Sequence, residues 1–151
     1  MDVLKLLVDD HALLSSSVIH VVALIRRFAV GRFEAAGLQV EIMKQVELLH
    51  EELVHHFEFE ETTAFSRLEE LFPPYREQLQ NFIAQHDGIL RVFEIVRTEL
   101  SFEGAPADGR NAQRKALAFE RVFEEHATAE TKLILNELVS KLSEIESLTI
   151  D

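Results

Sequence analysis

Cysteine is absent from this 151-residue chain, which excludes a disulfide framework, a thiolate zinc site and a cysteine nucleophile. Tryptophan is missing and tyrosine occurs once, so 11 phenylalanines carry almost all of the aromatic content. Five glycines and three prolines are few, and they cluster, leaving long stretches free of helix breakers. Basic residues are scarce: 15 Lys and Arg stand against 27 Asp and Glu, a formal net charge of -12. Without a cationic surplus to release counterions from a phosphate backbone, no nucleic-acid partner is expected. The opening MDVLKLLVDDHALL interrupts its apolar residues with Lys5, Asp9 and Asp10, unlike a signal peptide. No uninterrupted apolar run approaches the length of a membrane span, so no membrane partner is expected. What remains is an ordinary globular balance, 47% apolar and 28% charged, which excludes wholesale disorder. The expectation is one domain over residues 1–151, soluble, cytoplasmic and mostly helical.

Punctuation divides the chain into four long segments. Pro73-Pro74 is the sharpest break, since adjacent prolines forfeit backbone donors and clash with a preceding helical turn. Gly104 to Gly109 is the second break, and Gly31 with Gly37 marks a softer third. Between the breaks the apolar period is helical. Segment one, 2–29, aligns Leu4, Leu7, His11, Leu14, Val18, Val22 and Ile25. Segment two, from Phe33 to Phe72, aligns Leu38, Ile42, Leu49, Leu53, His56, Glu60 and Thr63. Segment three, 75–102, aligns Leu79, Phe82, Ile83, His86, Ile89, Leu90 and Phe93. Segment four, 110–147, aligns Phe119, Val122, Phe123, His126, Glu130, Leu133 and Leu142. Long amphipathic helices with short connections predict an all-α, up-down-up-down antiparallel four-helix bundle.

The same stripes carry the chemistry. Segments one and three each place one histidine on the buried face, His11 and His86, while segments two and four each repeat His-x-x-x-Glu, His56/Glu60 and His126/Glu130. Four positions along a helix is about 40° of rotation, so each His/Glu pair projects together into the interior. Any one of these residues alone reads as an ordinary core histidine or a helical contact. As a set, unpartnered carboxylates and imidazoles among Leu, Ile, Val and Phe would cost several kcal/mol per ionised group. Divalent cations remove that conflict, with imidazole suiting Fe, Zn, Cu and Ni and a carboxylate able to bridge two ions. Two metals could each take two histidines and share both glutamates, leaving a residual positive charge that invites a bridging oxo or hydroxo group and an open coordination position.

The order His11, then His56-Phe57-x-x-Glu60-Glu61, then His86-Asp87, then His126-x-x-x-Glu130 resembles the hemerythrin-like (HHE cation-binding) family across essentially the whole chain. The resemblance implies a non-haem di-iron centre in a left-twisted four-helix bundle. His11, His56, His86 and His126 would be terminal ligands and Glu60 and Glu130 bridging ones; Mn or Zn is the alternative to Fe. The chain departs from the oxygen-carrying hemerythrins, which have a histidine pair four apart on the third helix and H-x-x-x-x-D on the fourth. Here Phe82 and Leu90 flank His86 at four residues, and Thr131 stands five after His126. With one histidine fewer, the set is similar to the hemerythrin-like domains of iron-sulfur-centre repair proteins and of an iron-sensing ubiquitin-ligase subunit. That favours a reactive or sensing site for a small oxidant (O2, NO or peroxide) over a dedicated carrier. The alternatives are a metal-dependent regulatory module with a protein redox or signalling partner, and a ferritin-like oxidase. A ferritin-like site needs two Glu-x-x-His motifs; Glu47/His50 and Glu52/His55 supply the pattern in segment two, but Phe123 stands three before His126.

Other chemistry-bearing residues read more plainly. His50 and His55 fall off the His56 stripe and are expected at the rim, His20 outward, and Glu58 and Glu61 away from the ions, with Glu61 able to meet a ligand from behind. Glu52 is a candidate extra ligand, though an exposed position suits it better. Phe59, Phe82, Phe93, Phe119 and Phe123 are core residues that could also wall a dry pocket for a bound diatomic. Tyr75 is expected at a bundle end, away from the chemistry.

Overall fold

The computed structural model describes residues 3–30, 35–101 and 108–142, and among these no strand occurs. Helix α1 spans Val3–Val30 and α2 spans Ala35–Phe59; a π-helical turn, Glu60–Ala64, carries α2 directly into α3, Phe65–Leu71. The Pro73–Tyr75 3-10 turn separates α3 from α4, Arg76–Leu100, and α5, Gly109–Thr131, runs through a second π segment, Lys132–Leu138, into α6, Val139–Leu142. These form four rods: α1, α2–α3, α4 and α5–α6. The four segments read from the sequence coincide with them, and the Pro73-Pro74 break falls in the 3-10 turn. The GAPADG stretch lies largely outside the described residues, as does the part of segment four beyond Leu142, whose side chain is also undescribed.

Contacts between rods fix their directions. His11, early in α1, meets Glu130 near the end of α5, while Ala29 at the end of α1 touches Gly109 at the start of α5. On α4 and α5, His86 lies beside His126 and Glu99 pairs with Lys115. Between α2 and α4, Glu60 meets His86, and at the opposite end the buried Gln39 amide donates to the Leu100 carbonyl at 2.9 Å. Each of these pairs runs antiparallel. That last bond occupies one of the final α4 carbonyls, which has no partner within its own helix. The Arg97 guanidinium adds a two-pronged pair to Glu47 across the same interface, at 3.0 and 2.9 Å. At the start of α5, the Asp108 carboxylate accepts from the amides of Arg110 and Asn111, an N-cap that satisfies two orphan donors.

The apolar interior is divided. One cluster runs from Leu14 through Ile25, Ile42, Leu53, Phe57, Ile89, Phe93 and Phe119 to Phe123. The other, at the opposite end, gathers Leu4, Leu7, Phe65, Leu68, Leu79, Phe82, Leu133 and Leu138. On every rod the residues that separate the clusters are the sequence's candidate ligands. His11 sits between Leu7 and Leu14, His56 and Glu60 between Leu53 and Ala64, His86 between Phe82 and Ile89, and His126 with Glu130 between Phe123 and Leu133. Hydrocarbon on both sides makes this waist a place where charge must be matched.

Helix α1 is long and apolar enough, by length and composition, to cross a membrane. An uninterrupted-run criterion overlooks this because Asp9, Asp10 and His11 break the run. In the bundle the same apolarity serves the core, since Leu4, Leu7, Leu14, Val18, Val22 and Ile25 are all buried.

Candidate metal centre

Six residues meet at the waist. Among the described residues the buried polar or charged side chains are Gln39, His56, Glu60, His86, His126 and Glu130, so all but Gln39 belong here. His11 completes the group with a side chain 17% exposed. Every residue expected to bind metal is therefore brought to one place, from all four rods.

Each imidazole turns Nε2 toward a carboxylate. His56 Nε2 lies 3.3 Å and His86 Nε2 3.1 Å from Glu60 Oε1, and His126 Nε2 lies 2.8 Å from Glu130 Oε2. His11 Nε2 reaches both acids, at 3.5 Å from Glu60 Oε2 and 3.4 Å from Glu130 Oε1. Two overlapping donor groups result: His11, His56, Glu60 and Glu130 form one, and Glu60, His86 and His126 the other. The ring pairs follow the same division, with centroids 4.8 Å apart for His11 and His56 and 5.2 Å for His86 and His126. Glu130 also spans the two, one oxygen toward His11 and the other toward His126.

The second nitrogen of three rings shows what Nε2 must be. His56 Nδ1 donates to Asp10 Oδ2 at 2.9 Å, His86 Nδ1 to Glu61 Oε1 at 3.0 Å, and His126 Nδ1 to Gln85 Oε1 at 2.7 Å. An acceptor at Nδ1 places the proton there, so in the neutral ring Nε2 is a bare lone pair. A lone pair facing a buried carboxylate oxygen near 3 Å is acceptor against acceptor, which no hydrogen bond resolves. Both oxygens of Glu60, both of Glu130, and Nε2 of His86 and His126 are buried without a hydrogen-bond partner. A cation between them converts the conflict into coordination. Bonds of about 2.1 Å place neighbouring ligand atoms about 3.0 to 3.4 Å apart in octahedral or tetrahedral geometry, close to the separations here. The residues fit a metal pair.

The electrostatics agree. Burial pushes the Glu60 carboxyl up, but the His11, His56 and His86 imidazoles, which can donate to it only when they carry a second proton, outweigh burial in the metal-free protein and hold the group well below the usual carboxylate range. Burial, then the nearby His86, drives the His126 imidazole down from 6.5 to about 4. The interior thus prefers ionised Glu60 and neutral His126, the forms that bind cations.

Asp10, Glu61 and Gln85 form a supporting ring with a regular plan. Each is adjacent in sequence to a candidate ligand on its own rod and holds a histidine of the next. Helix α1 supports α2 through Asp10, the α2 rod supports α4 through Glu61, and α4 supports α5 through Gln85. Asp10 and Gln85 escaped the sequence reading; an acid or amide next to each candidate ligand was the available signal. Glu61 meets His86 from behind while remaining partly exposed.

The other expectations sort by position. Glu52, Glu58, His20 and His55 are exposed, which leaves Glu52 out of the donor groups; His50 is half-buried and stacks on Phe93 at 6.2 Å. Of the phenylalanines expected to wall the centre, Phe82 packs edge-on to His126 at 5.8 Å, and Phe123 lines a groove that reaches His11. Phe93 and Phe119 pack against each other with tilted rings in the first cluster, and Phe59 packs half-buried on the second. Phe57, which the sequence reading passed over, lies flat on His86 at 4.0 Å and edge-on to His126 at 6.1 Å. Tyr75 sits at the bundle end beside Phe72 and beneath Lys141.

Residues 4–138 match the family described as the Hemerythrin HHE cation binding domain. Searches of curated proteins and of solved structures give no match.

Proposed function

The chain belongs to the hemerythrin HHE cation-binding family, and from that premise we propose that it is a di-iron protein that binds or reacts with a small oxidant. The oxidant class is O2, NO or peroxide, and the role is that of a cytoplasmic sensor or stress-response factor, including repair of iron centres. The observation that carries this reading is the pair of donor groups sharing Glu60, whose buried oxygens have no other partner. When bound, ferrous ions would supply electrons and an open coordination position. The chain's own part is to fix the donors. Asp10, Glu61 and Gln85 hold three imidazoles in the tautomer that presents Nε2, and Phe57 and Phe82 exclude water beside His86 and His126.

The test is iron content by elemental analysis together with anaerobic and aerobic optical spectra, with and without azide. We expect two irons per chain and a charge-transfer band that azide shifts; a colourless, iron-free protein after iron-replete expression would contradict the reading. A second reading, a regulatory module whose fold depends on occupancy, is favoured by the same orphan atoms, because they repel one another across three of the four rods when no cation joins them. Protease resistance that differs little between metal-loaded and stripped protein would count against it.

A further inference from the structure

We propose that small ligands reach the metal centre through the groove between α1 and α5, past a neck formed by Thr131 and His11 that selects them by size. This rests on the di-metal reading above. Two cavities carry the inference. The outer is a groove of about 660 Å³ whose walls include Ser15 and Ile19 from α1 and Phe123 and Ala127 from α5. The inner is a pocket of about 40 Å³ bounded by Leu7, Val8, Ile134 and the site carboxylate Glu130. His11 and Thr131 line both, so the two cavities adjoin at these residues.

Three further observations point to this side. His11 is the candidate ligand with appreciable exposure, 17% against 5% or less for the others. It is also the histidine for which, among the described residues, no hydrogen bond at Nδ1 is found, so its ring is the least constrained. The outer groove is wide because small side chains, Ala12, Ser15, Ala127 and Thr128, line it. The alternative approach, a cavity of about 470 Å³ between α4 and α5, touches His126 and its partner Gln85 but no site carboxylate. There the Gln85 amide bonds to the His126 ring and closes the way.

The sizes set the ligand class. A water molecule needs about 10–15 Å³ of cavity on this measure, so the inner pocket takes a molecule of two or three heavy atoms such as azide, nitric oxide or hydrogen peroxide. An aryl hydroperoxide fits the outer groove and stops at the neck.

The experiment uses the iron-loaded protein, with azide as probe and stopped-flow recording of its optical band. Thr131→Leu narrows the neck, and Ser15→Phe fills the groove one helical turn from His11. Each is expected to slow azide association about tenfold, a barrier rise of about 1.4 kcal/mol, with iron content and final band position as in the parent. Thr131→Ala is expected to speed association. Gly88→Phe, which blocks the α4/α5 cavity from a position with open space around it, is expected to leave the rate unchanged. Slowing by Gly88→Phe alone, or parental rates in both Thr131→Leu and Ser15→Phe with the azide band intact, would overturn the route and leave the di-iron reading standing. Absence of any iron-dependent band in the parent protein would overturn both.

Discussion

At the scale of single residues, the centre is governed by which nitrogen of each imidazole holds its proton. Glu61 accepts from His86 Nδ1 and Asp10 from His56 Nδ1, so Glu61→Gln and Asp10→Asn keep the shape but remove the charge behind the ring. Each should weaken metal binding by about ten- to a hundredfold with little change in helical content; competition against a chelating dye measures it, and unaltered affinity would show these contacts to be incidental. Protonation of the stripped protein acts in one direction at two residues. His126 is held neutral down to about pH 4, whereas the unfolded chain takes up that proton near pH 6.5. Glu60 stays ionised below the usual carboxylate range, whereas in the unfolded chain it protonates near 4.5. In both cases the unfolded state binds more protons as pH falls, so stability present at neutral pH is lost on acidification, first through His126 and then through Glu60. Thermal midpoints of the metal-free protein from pH 7 to pH 4 should fall throughout, and a flat or rising profile would contradict the assignment.

Helices pack against one another where side chains allow, and two glycines show opposite sides of this. A Cβ on Gly109 would stand 2.9 Å from the Ala29 Cα and 3.3 Å from the Phe28 carbonyl oxygen, both backbone atoms that cannot swing aside. Gly109→Ala should therefore destabilise the fold by about 1–3 kcal/mol despite alanine's better helix propensity. At Gly88, within α4, a Cβ meets nothing within 4 Å, so Gly88→Ala should stabilise by up to about 1 kcal/mol. Urea unfolding of the two variants should give midpoint shifts of opposite sign. The helices themselves were legible in the sequence because the stripes of Leu4 to Ile25 and Leu79 to Phe93 are long and strongly periodic. The π-helical turns were not. Glu60–Ala64, Glu-Glu-Thr-Thr-Ala, carries no proline or glycine to mark it, and adding a residue to one turn changes no residue type that periodicity can register. Both π segments begin at or just after a candidate-ligand glutamate, in keeping with the tendency of such turns to mark functional sites.

The bundle as a whole is two apolar clusters joined by a polar waist, and the waist is the least self-sufficient part of the protein. The candidate ligands were readable because four histidines, two with glutamate at +4, fell on stripes that otherwise hold almost only hydrocarbon. Their partners were harder to read: Asp10 and Gln85 occupy positions that look like solvated faces until the next rod is packed beside them. One aromatic neighbour of the site, Phe57, was missed for a similar reason. Phe57 follows His56 directly and so points off its stripe, yet the neighbouring α4 brings His86 onto its face. Bound cations should tie all four rods together, and their free energy of binding should appear as folding free energy.

Metal stoichiometry by elemental analysis of the iron-loaded protein and two variants tests this account most directly. The parent should hold two ions per chain, His86→Ala should hold one because His11, His56, Glu60 and Glu130 remain as a set, and Glu60→Ala should hold neither firmly because both donor groups share that carboxylate. Equal metal content in the parent and Glu60→Ala, or no metal in any of them, would contradict it.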